Sequence, residues 1–400
     1  MAQHFFLVCA FALLLSCQGK QPLSSDNADG NAYAQGFSLE SHPDYELLQI
    51  KNPWTNDEVL QTYILVPQNL PLPDNLPAGT LLRTPLTRTV AFSSVVCSMM
   101  DELGVTDKLA GVGDAAYILT PSIQAGLAAG AIRDVGQETQ PDIEKLLLLE
   151  PQLIMTTPIS ESAVGALNKV GATSFPCLDY LENHPLGRTE WIRLFGRLFG
   201  KKELADSLFF ATVDAYEALR QSTADVKVRP TVFTEKKYGD FWYIPGGKSN
   251  VAYLLRDAGA DYIWKDNPST TNVSLSFETV LDKAENADFW LIKYYSVTSD
   301  QLPVTGYRLP VIGLTYGQLV DEFPNYGLFG AFKKRNVYGC NTAQSSYYQE
   351  VILHPDRLLQ DLIKVFHPEL LPEYELRFYG KLALCQKKIN WRANFCQRCL

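Results

Sequence analysis

Apolar and polar positions along the chain fall into distinct regimes. Between 44 and 66 two strand-like runs, YELLQI and LQTYILV, are separated by the turn-rich KNPWTNDEV. A Pro-rich bridge, PQNLPLPDNLPAG, then leads to another strand pair around TLLRT and TRTVAFS. From Arg88 to about Pro176 short apolar strands alternate with helical stretches: TVAFS, VVCSMMDELG, KLAGVG, PDIEKLLLLE, QLIMTT. That alternation predicts a parallel sheet with helices on both faces. Residues 188–221 contain no proline and place Trp191, Ile192, Phe195, Leu198, Phe199, Leu204, Leu208 and Phe209 at helical spacing, which predicts one long helix. After Pro230 the alternation resumes through TVFTE, WYIPGG, VAYLLRDAG, SFETVLDKAE and DFWLIKY, and HPDRLLQDLIKVF closes the chain as a helix. Two α/β lobes flanking one long helix are expected, with a cleft between them.

The lobes echo each other. A helix opening at Pro141-Asp142-Ile143-Glu144 precedes the strand Gln152–Thr156, and a helix opening at Ser276-Phe277-Glu278-Thr279 precedes the strand Asp288–Lys293. The pattern turns Ile143, Leu146 and Leu147 inward on one helix, and Phe277, Val280, Leu281 and Ala284 on the other. Glu144 and Glu278 fall off those stripes, in a first turn where a carboxylate suits the helix dipole.

Composition narrows the function classes. The chain has 400 residues, too many for one ordinary core, with 46% hydrophobic and 20% charged positions. Lys+Arg 35 against Asp+Glu 44 leaves a net charge of −9, and no basic cluster offsets it, so nucleic acid is not an expected partner. The five histidines are scattered and offer little to a metal site.

Residues 5–15, FFLVCAFALLL, are too short to span a bilayer and read as a secretory h-region, although Met1–His4 lacks the usual Lys or Arg. The run continues into Leu14-Leu15-Ser16-Cys17, similar to a bacterial lipobox, in which Cys17 becomes the acylated N-terminus. Export to the periplasmic or cell-envelope side and a lipid anchor are therefore expected. The polar, turn-rich QGKQPLSSDNADGNAYAQG that follows cannot bury a core and predicts a tether. Cys97 and Cys177 sit in apolar contexts and read as buried small hydrophobes. Cys385, Cys396 and Cys399 crowd the C-terminus without a nearby His; a disulfide or free thiols are preferred over zinc.

Two motifs fail on inspection. Gly246-Gly247-Lys248-Ser249 resembles the end of a Walker A loop, but the required earlier glycine is Trp242. Gly111-Val112-Gly113 loosely matches a dinucleotide loop, but Pro121 interrupts the helix that should follow.

From Arg88 to Pro368 the order of segments resembles class III ABC-transporter substrate-binding proteins, the group that captures cobalamin, ferric siderophores or haem. The carrying residues are Val90-Ala91-Phe92-Ser93-Ser94, Met100-Asp101-Glu102-Leu103-Gly104, Leu109-Ala110-Gly111-Val112 with its Asp114/Tyr117 loop, P-D-I-E-K-L-L-L-L-E-P-Q-L-I-M, Pro245-Gly246-Gly247-Lys248-Ser249 and Ala258-Gly259-Ala260. The resemblance implies two mostly parallel α/β lobes joined by one long connecting helix. The expected division is a signal peptide (1–16), tether (17–40), strand extension packed on the first lobe (41–87), first lobe (88–187), connecting helix (188–221), second lobe (222–382) and Cys-rich tail (383–400), of which 41–87 and 383–400 lie outside the family core.

The resemblance also implies a monomeric, non-enzymatic carrier serving an ABC permease dimer and its ATPase, with no covalent group beyond lipid on Cys17. Glu144 and Glu278 would dock on the permease. The ligand, a bulky ferric siderophore, haem or cobalamin, would meet Trp242, Tyr243, Tyr117, Tyr294 and Tyr295, with Ser94, Asp114 and Lys248 as polar anchors. Where cobalamin binders carry aromatics, this chain has Glu138, Thr156 and Asn272, which counts against cobalamin. The basic clamps expected for catecholate or hydroxamate chelates are not obvious. Two other readings stay open: an exported lipoprotein hydrolase using cleft carboxylates, and a haem- or metal-handling surface protein working without an importer.

Overall fold

The computed structural model describes residues 30–55, 58–164, 167, 171–296 and 313–384. The signal segment, Cys17 and the Cys385/Cys396/Cys399 cluster lie outside the described residues.

The chain opens with a four-stranded sheet, β1 (Phe37–Ser41), β2 (Glu46–Lys51), β3 (Val59–Pro67) and β4 (Thr80–Thr84), in sequence order. The first three strands are antiparallel and β4 lies parallel to β3. Alternation along β2 and β3 turns Leu48, Ile50, Tyr63 and Leu65 into the main core.

The polar composition of 17–40 predicts a free tether, yet from Gly30 onward this segment is fixed. The amides of Ala32, Tyr33 and Ala34 donate to the Glu190 carboxylate at 2.7–3.1 Å, and those of Gln35 and Gly36 donate to Glu182 at 2.8–3.1 Å. Glu190 is fully buried and also pairs with Arg193 at 2.8 Å. The Tyr33 ring stacks on His184, 4.9 Å between centroids. Backbone amides carry no side-chain signature, so hydropathy could not reveal this strap. Glu190→Ala strips three amides of their acceptor and leaves buried Arg193 one carboxylate short. It is expected to cost about 3–5 kcal/mol, read as a lower denaturation midpoint and faster proteolysis ahead of Phe37.

The first lobe is a five-stranded parallel sheet. Its strands are β5 (Thr89–Ala91), β6 (Leu109–Val112), β7 (Arg133–Asp134), and, past a hairpin of β8 (Gly136–Gln137) and β9 (Gln140–Pro141), β10 (Leu153–Thr156) and β11 (Thr173–Pro176), in the order β11-β10-β5-β6-β7. Helices α1 (Ser94–Glu102), α2 (Pro121–Ala128) and α3 (Ile143–Leu149) connect them. Every residue of β6 and β10 is buried, as a sheet covered on both faces requires. Val90, Ala110 and Ile154 pack with Leu146 and Leu149 of α3, while Ala91, Val112, Leu153 and Met155 join the α1 side. On α3 the buried stripe is Leu146 and Leu149; Ile143 and Leu147, expected inside, are exposed.

The helical run 188–221 is divided. Helix α4 (Pro185–Leu198) starts on His184, whose Nδ1 accepts the Leu186 amide, and helix α5 (Lys202–Ser222) begins after Gly200. Gly200 sits at φ 67, the left-handed conformation that closes helices and that glycine adopts without strain. The two helices pack on each other, and α5 is the single connecting helix that carries the chain into the second lobe.

The second lobe has a five-stranded sheet from β12 (Thr231–Thr234), β15 (Asp261–Tyr262), β17 (Phe289–Tyr294), β18 (Val337–Asn341) and β19 (Gly380–Lys381), ordered β15-β12-β17-β18-β19 and parallel except for β19. A separate antiparallel sheet joins β13 (Lys237–Tyr238), β14 (Phe241–Pro245) and β16 (Asn272–Leu275). The helices are α6 (Asn250–Asp257), α7 (Phe277–Ala284), α8 (Tyr316–Glu322), α9 (Gly330–Lys333), α10 (Tyr347–Glu350) and α11 (Pro355–Phe366). The Gly246-Gly247 turn has a purely steric origin: a Cβ on either residue would lie 2.3–2.4 Å from the backbone oxygens of Ser269 or Lys265. Ser249 of the same motif caps α6 by accepting the Ala252 amide.

Candidate functional site

The loops that follow strands β5, β6, β17 and β18 converge from the two lobes. Parallel sheets carry ligands at these carboxyl ends because the helices that follow leave a crevice there. Between the lobes lies a cavity of about 940 Å³. The first lobe contributes Ser94, Tyr117, Leu119, Gln124 and Asp134; the second contributes Tyr295, Thr342, Ala343, Tyr348 and Gln349. Tyr117, Tyr295 and Tyr348 are 61%, 63% and 51% exposed, values that leave most of each ring free for a ligand rather than spent on the core. Among the described residues, the lining has one carboxylate, Asp134, and no Lys, Arg or His.

Among the described residues, two polar side-chain contacts reach from one lobe to the other at this level. Gln349 Nε2 donates to the Tyr117 carbonyl at 3.3 Å, and His354 Nε2 lies 3.0 Å from Glu102. The His354 hydrogen bond holds the Glu102 carboxyl below its usual range. Asp114 (φ 49) and Ser346 (φ 49) both take the left-handed backbone conformation, one on each lobe beside the cleft. Such strain in a non-glycine residue gathers where a loop is held for a purpose. Asp114 lines a recess of about 350 Å³ that shares Ser94 and Tyr117 with the main cavity.

Of the residues singled out in the sequence, Ser94, Tyr117 and Tyr295 meet in the cavity and Asp114 adjoins it. Four others are elsewhere. Trp242 is fully buried, with its indole N–H donating to the Thr234 carbonyl at 3.0 Å and its ring within 5.7–6.0 Å of Phe233, Trp290, Tyr326 and Phe329. Neighbouring strand residues face opposite ways, so Trp242 and Tyr243 could never share one wall. Tyr243 points to solvent on β14, and exposed Lys248 follows the Gly-Gly turn; neither lines the cavity. Tyr294 is half-buried, and its ring covers Gly339, where an added Cβ would lie 2.9 Å away. Its carbonyl accepts the Thr342 amide, which shapes the loop carrying Thr342 and Ala343.

Tyr348 was not legible in the sequence. It stands on the four-residue α10 within SSYYQE, a stretch without hydrophobic period. Glu138, Thr156 and Asn272 also fall outside the lining of the main cavity; Glu138 instead accepts the Thr157 amide and hydroxyl at 2.7–3.0 Å.

Glu144 and Glu278 occupy equivalent places, exposed in the first turns of α3 and α7. Asp142 caps the first helix by accepting the Lys145 amide, and Ser276 caps the second by accepting the Thr279 amide. Hydrogen bonds from its own backbone amide and from Ser276 hold the Glu278 carboxyl below the usual range. Leu148, 81% exposed, lies on the same helix as Glu144. Cys97, Cys177 and Cys340 are buried free thiols, and burial pushes Cys97 up to about 12 and Cys340 up to about 11. Among the described residues, no group of three or more His, Cys, Asp or Glu could hold a metal, and no helix is long and apolar enough to cross a membrane.

Known proteins are similar to this chain in sequence or in fold. An uncharacterized lipoprotein of Methanocaldococcus jannaschii is 27% identical over 312 residues, covering 75% of this chain and 70% of the relative. The structure of S. aureus IsdE complexed with heme superposes with a TM-score of 0.53 at 16% identity, covering 70% of this chain and 99% of the other. An ABC-type Fe3+-hydroxamate transport system from Saccharomonospora viridis gives 0.53 at 16%, covering 72% and 95%. Residues 90–303, more than half of the chain, match the periplasmic binding protein family itself. Two α/β lobes with mostly parallel sheets, a connecting helix and a cleft at the strand ends are the class III form of that fold, and the chain belongs to the periplasmic binding protein family.

Proposed function

We propose that this protein captures a bulky iron chelate, a ferric siderophore or haem, in the inter-lobe cleft and hands it to an ABC importer. The observation that carries this reading is the cavity of about 940 Å³ with three largely exposed tyrosines on facing walls. Flat rings offer a large apolar contact that loses little side-chain entropy on binding, and Ser94, Gln124, Thr342 and Gln349 supply orienting hydrogen bonds. Two fold relatives support the ligand class, one solved with heme and one belonging to Fe3+-hydroxamate transport. Glu144 and Glu278, at matching places on the two lobes, are the residues we assign to permease docking. Lipid on Cys17 would hold the body at the membrane, as the lipoprotein relative suggests.

Titration with haemin, ferric hydroxamates and cobalamin, with mass spectrometry of any copurified molecule, tests the ligand class. Binding of cobalamin alone, or of none of the three with no copurified iron chelate, would sink it. Tyr117→Ala combined with Tyr348→Ala should weaken the bound chelate at least tenfold, about 1.4 kcal/mol. Both rings are exposed, so thermal unfolding of the free protein should hardly move.

A further inference from the structure

Beside the cleft lies a second, smaller cavity of about 120 Å³, closed by α4, α6, β17 and α10. Arg188, Asn250, Leu254, Lys293, Tyr347 and Tyr348 contribute to its wall. Tyr348 borders both spaces, so one ring separates the main cleft from this side pocket. We propose that the side pocket takes a carboxylate arm of the ligand, passing beside Tyr348; this rests on the cleft being the chelate site.

The donors at its wall exceed the acceptors. Arg188 gives one terminal nitrogen to Asp179 at 2.9 Å, while its Nε is buried and has no partner. Lys293 pairs with Glu235 and lies 5.9 Å from the Tyr347 ring centre, and an ammonium has three hydrogens to place. Arg188 and Lys293 line this pocket, whereas their partners Asp179 and Glu235 are not part of its wall. A carboxylate entering this pocket meets the Arg188 and Lys293 side chains that line it, and charge-assisted bonds of this kind are the strong ones. Leu254, Val251 and Ile352 line the rest and suit the methylenes of a short arm. The space is well above the roughly 15 Å³ that admits one water. The two spaces also differ in sign, with Asp134 on the main cleft and Arg188 and Lys293 on the side pocket. A ligand with an uncharged or cationic body and an anionic arm matches both.

The test compares each acid with its neutral ester: haemin with its dimethyl ester, and N-succinyl ferrioxamine B with its methyl ester. In whichever pair binds, the acid should bind at least tenfold tighter than its partner. Arg188→Lys, which keeps a cation for Asp179 but removes the guanidinium's other N–H groups, should erase most of that difference, and so should Asn250→Leu, which removes an amide donor from the wall and leaves both ion pairs in place. Equal affinity for acid and neutral forms overturns the side pocket and leaves the cleft reading standing. A preference that survives both substitutions also overturns it. Failure of all four probes to bind overturns the pocket together with the chelate reading.

Discussion

Trp242→Ala should lower the stability of the fold by about 3–5 kcal/mol, the range for truncating a large buried aromatic. The indole lies at 0% exposure among Phe233, Trp290, Tyr326 and Phe329, and its N–H satisfies the Thr234 carbonyl. Those partners belong to β12, β17 and the chain after α8, so the ring ties the antiparallel β13-β14-β16 sheet to the parallel sheet. Truncation opens a cavity and orphans a buried carbonyl at once. Denaturant unfolding should show a lower midpoint with the same slope, and chelate affinity of the remaining folded protein should be nearly native. An unchanged midpoint with tenfold weaker ligand binding would mean that the ring faces the ligand after all.

Glu144→Ala together with Glu278→Ala should reduce ligand uptake to background while leaving ligand affinity and thermal unfolding intact. Both carboxylates are exposed, and Asp142 and Ser276, not the glutamates, cap their helices. Removing the side chains therefore costs the fold little. Rim charges of this kind set encounter rate and orientation, so single substitutions should slow delivery and become more harmful at high salt. The measurement is stimulation of the importer's ATPase by loaded binding protein in proteoliposomes. Full stimulation by the double variant, or a matching loss of ligand affinity, would remove the docking role.

Much of the architecture was legible because the parallel sheets write themselves as apolar runs. LAGV and LIMT are short, unbroken and bounded by turns, and each is a fully buried strand. The paired helix openings at Asp142 and Ser276 were legible for a similar reason, since each cap is a local signal. The interruption at Gly200 was also written in the sequence, as a glycine directly after an apolar helical stripe. Periodicity outweighed it in the long-helix reading. The site was only partly legible. Tyr117 and Tyr295 follow strands and so announce themselves, whereas Tyr348 depends on how α10 is carried to the cleft. Trp242 misleads because a Gly-rich turn suggests a ligand loop, while the register of β14 decides which neighbour faces inward.

The strap that ends on Glu190 and Glu182 bears on the order in which the molecule becomes native. Its hydrogen bonds join residues 158 and 147 positions apart, and the Tyr63 bond to the Ser174 carbonyl closes a separation of 111. The βα units of the first lobe close over much shorter distances. Contacts of high sequence separation carry the larger loop-closure entropy and form late. The strap is thus expected to be secured after the first lobe, once α4, which carries Glu190, and the turn before it, which carries Glu182, are in place. Until then Glu182 and Glu190 are carboxylates without their amide partners, and the edge of β2 waits for β1.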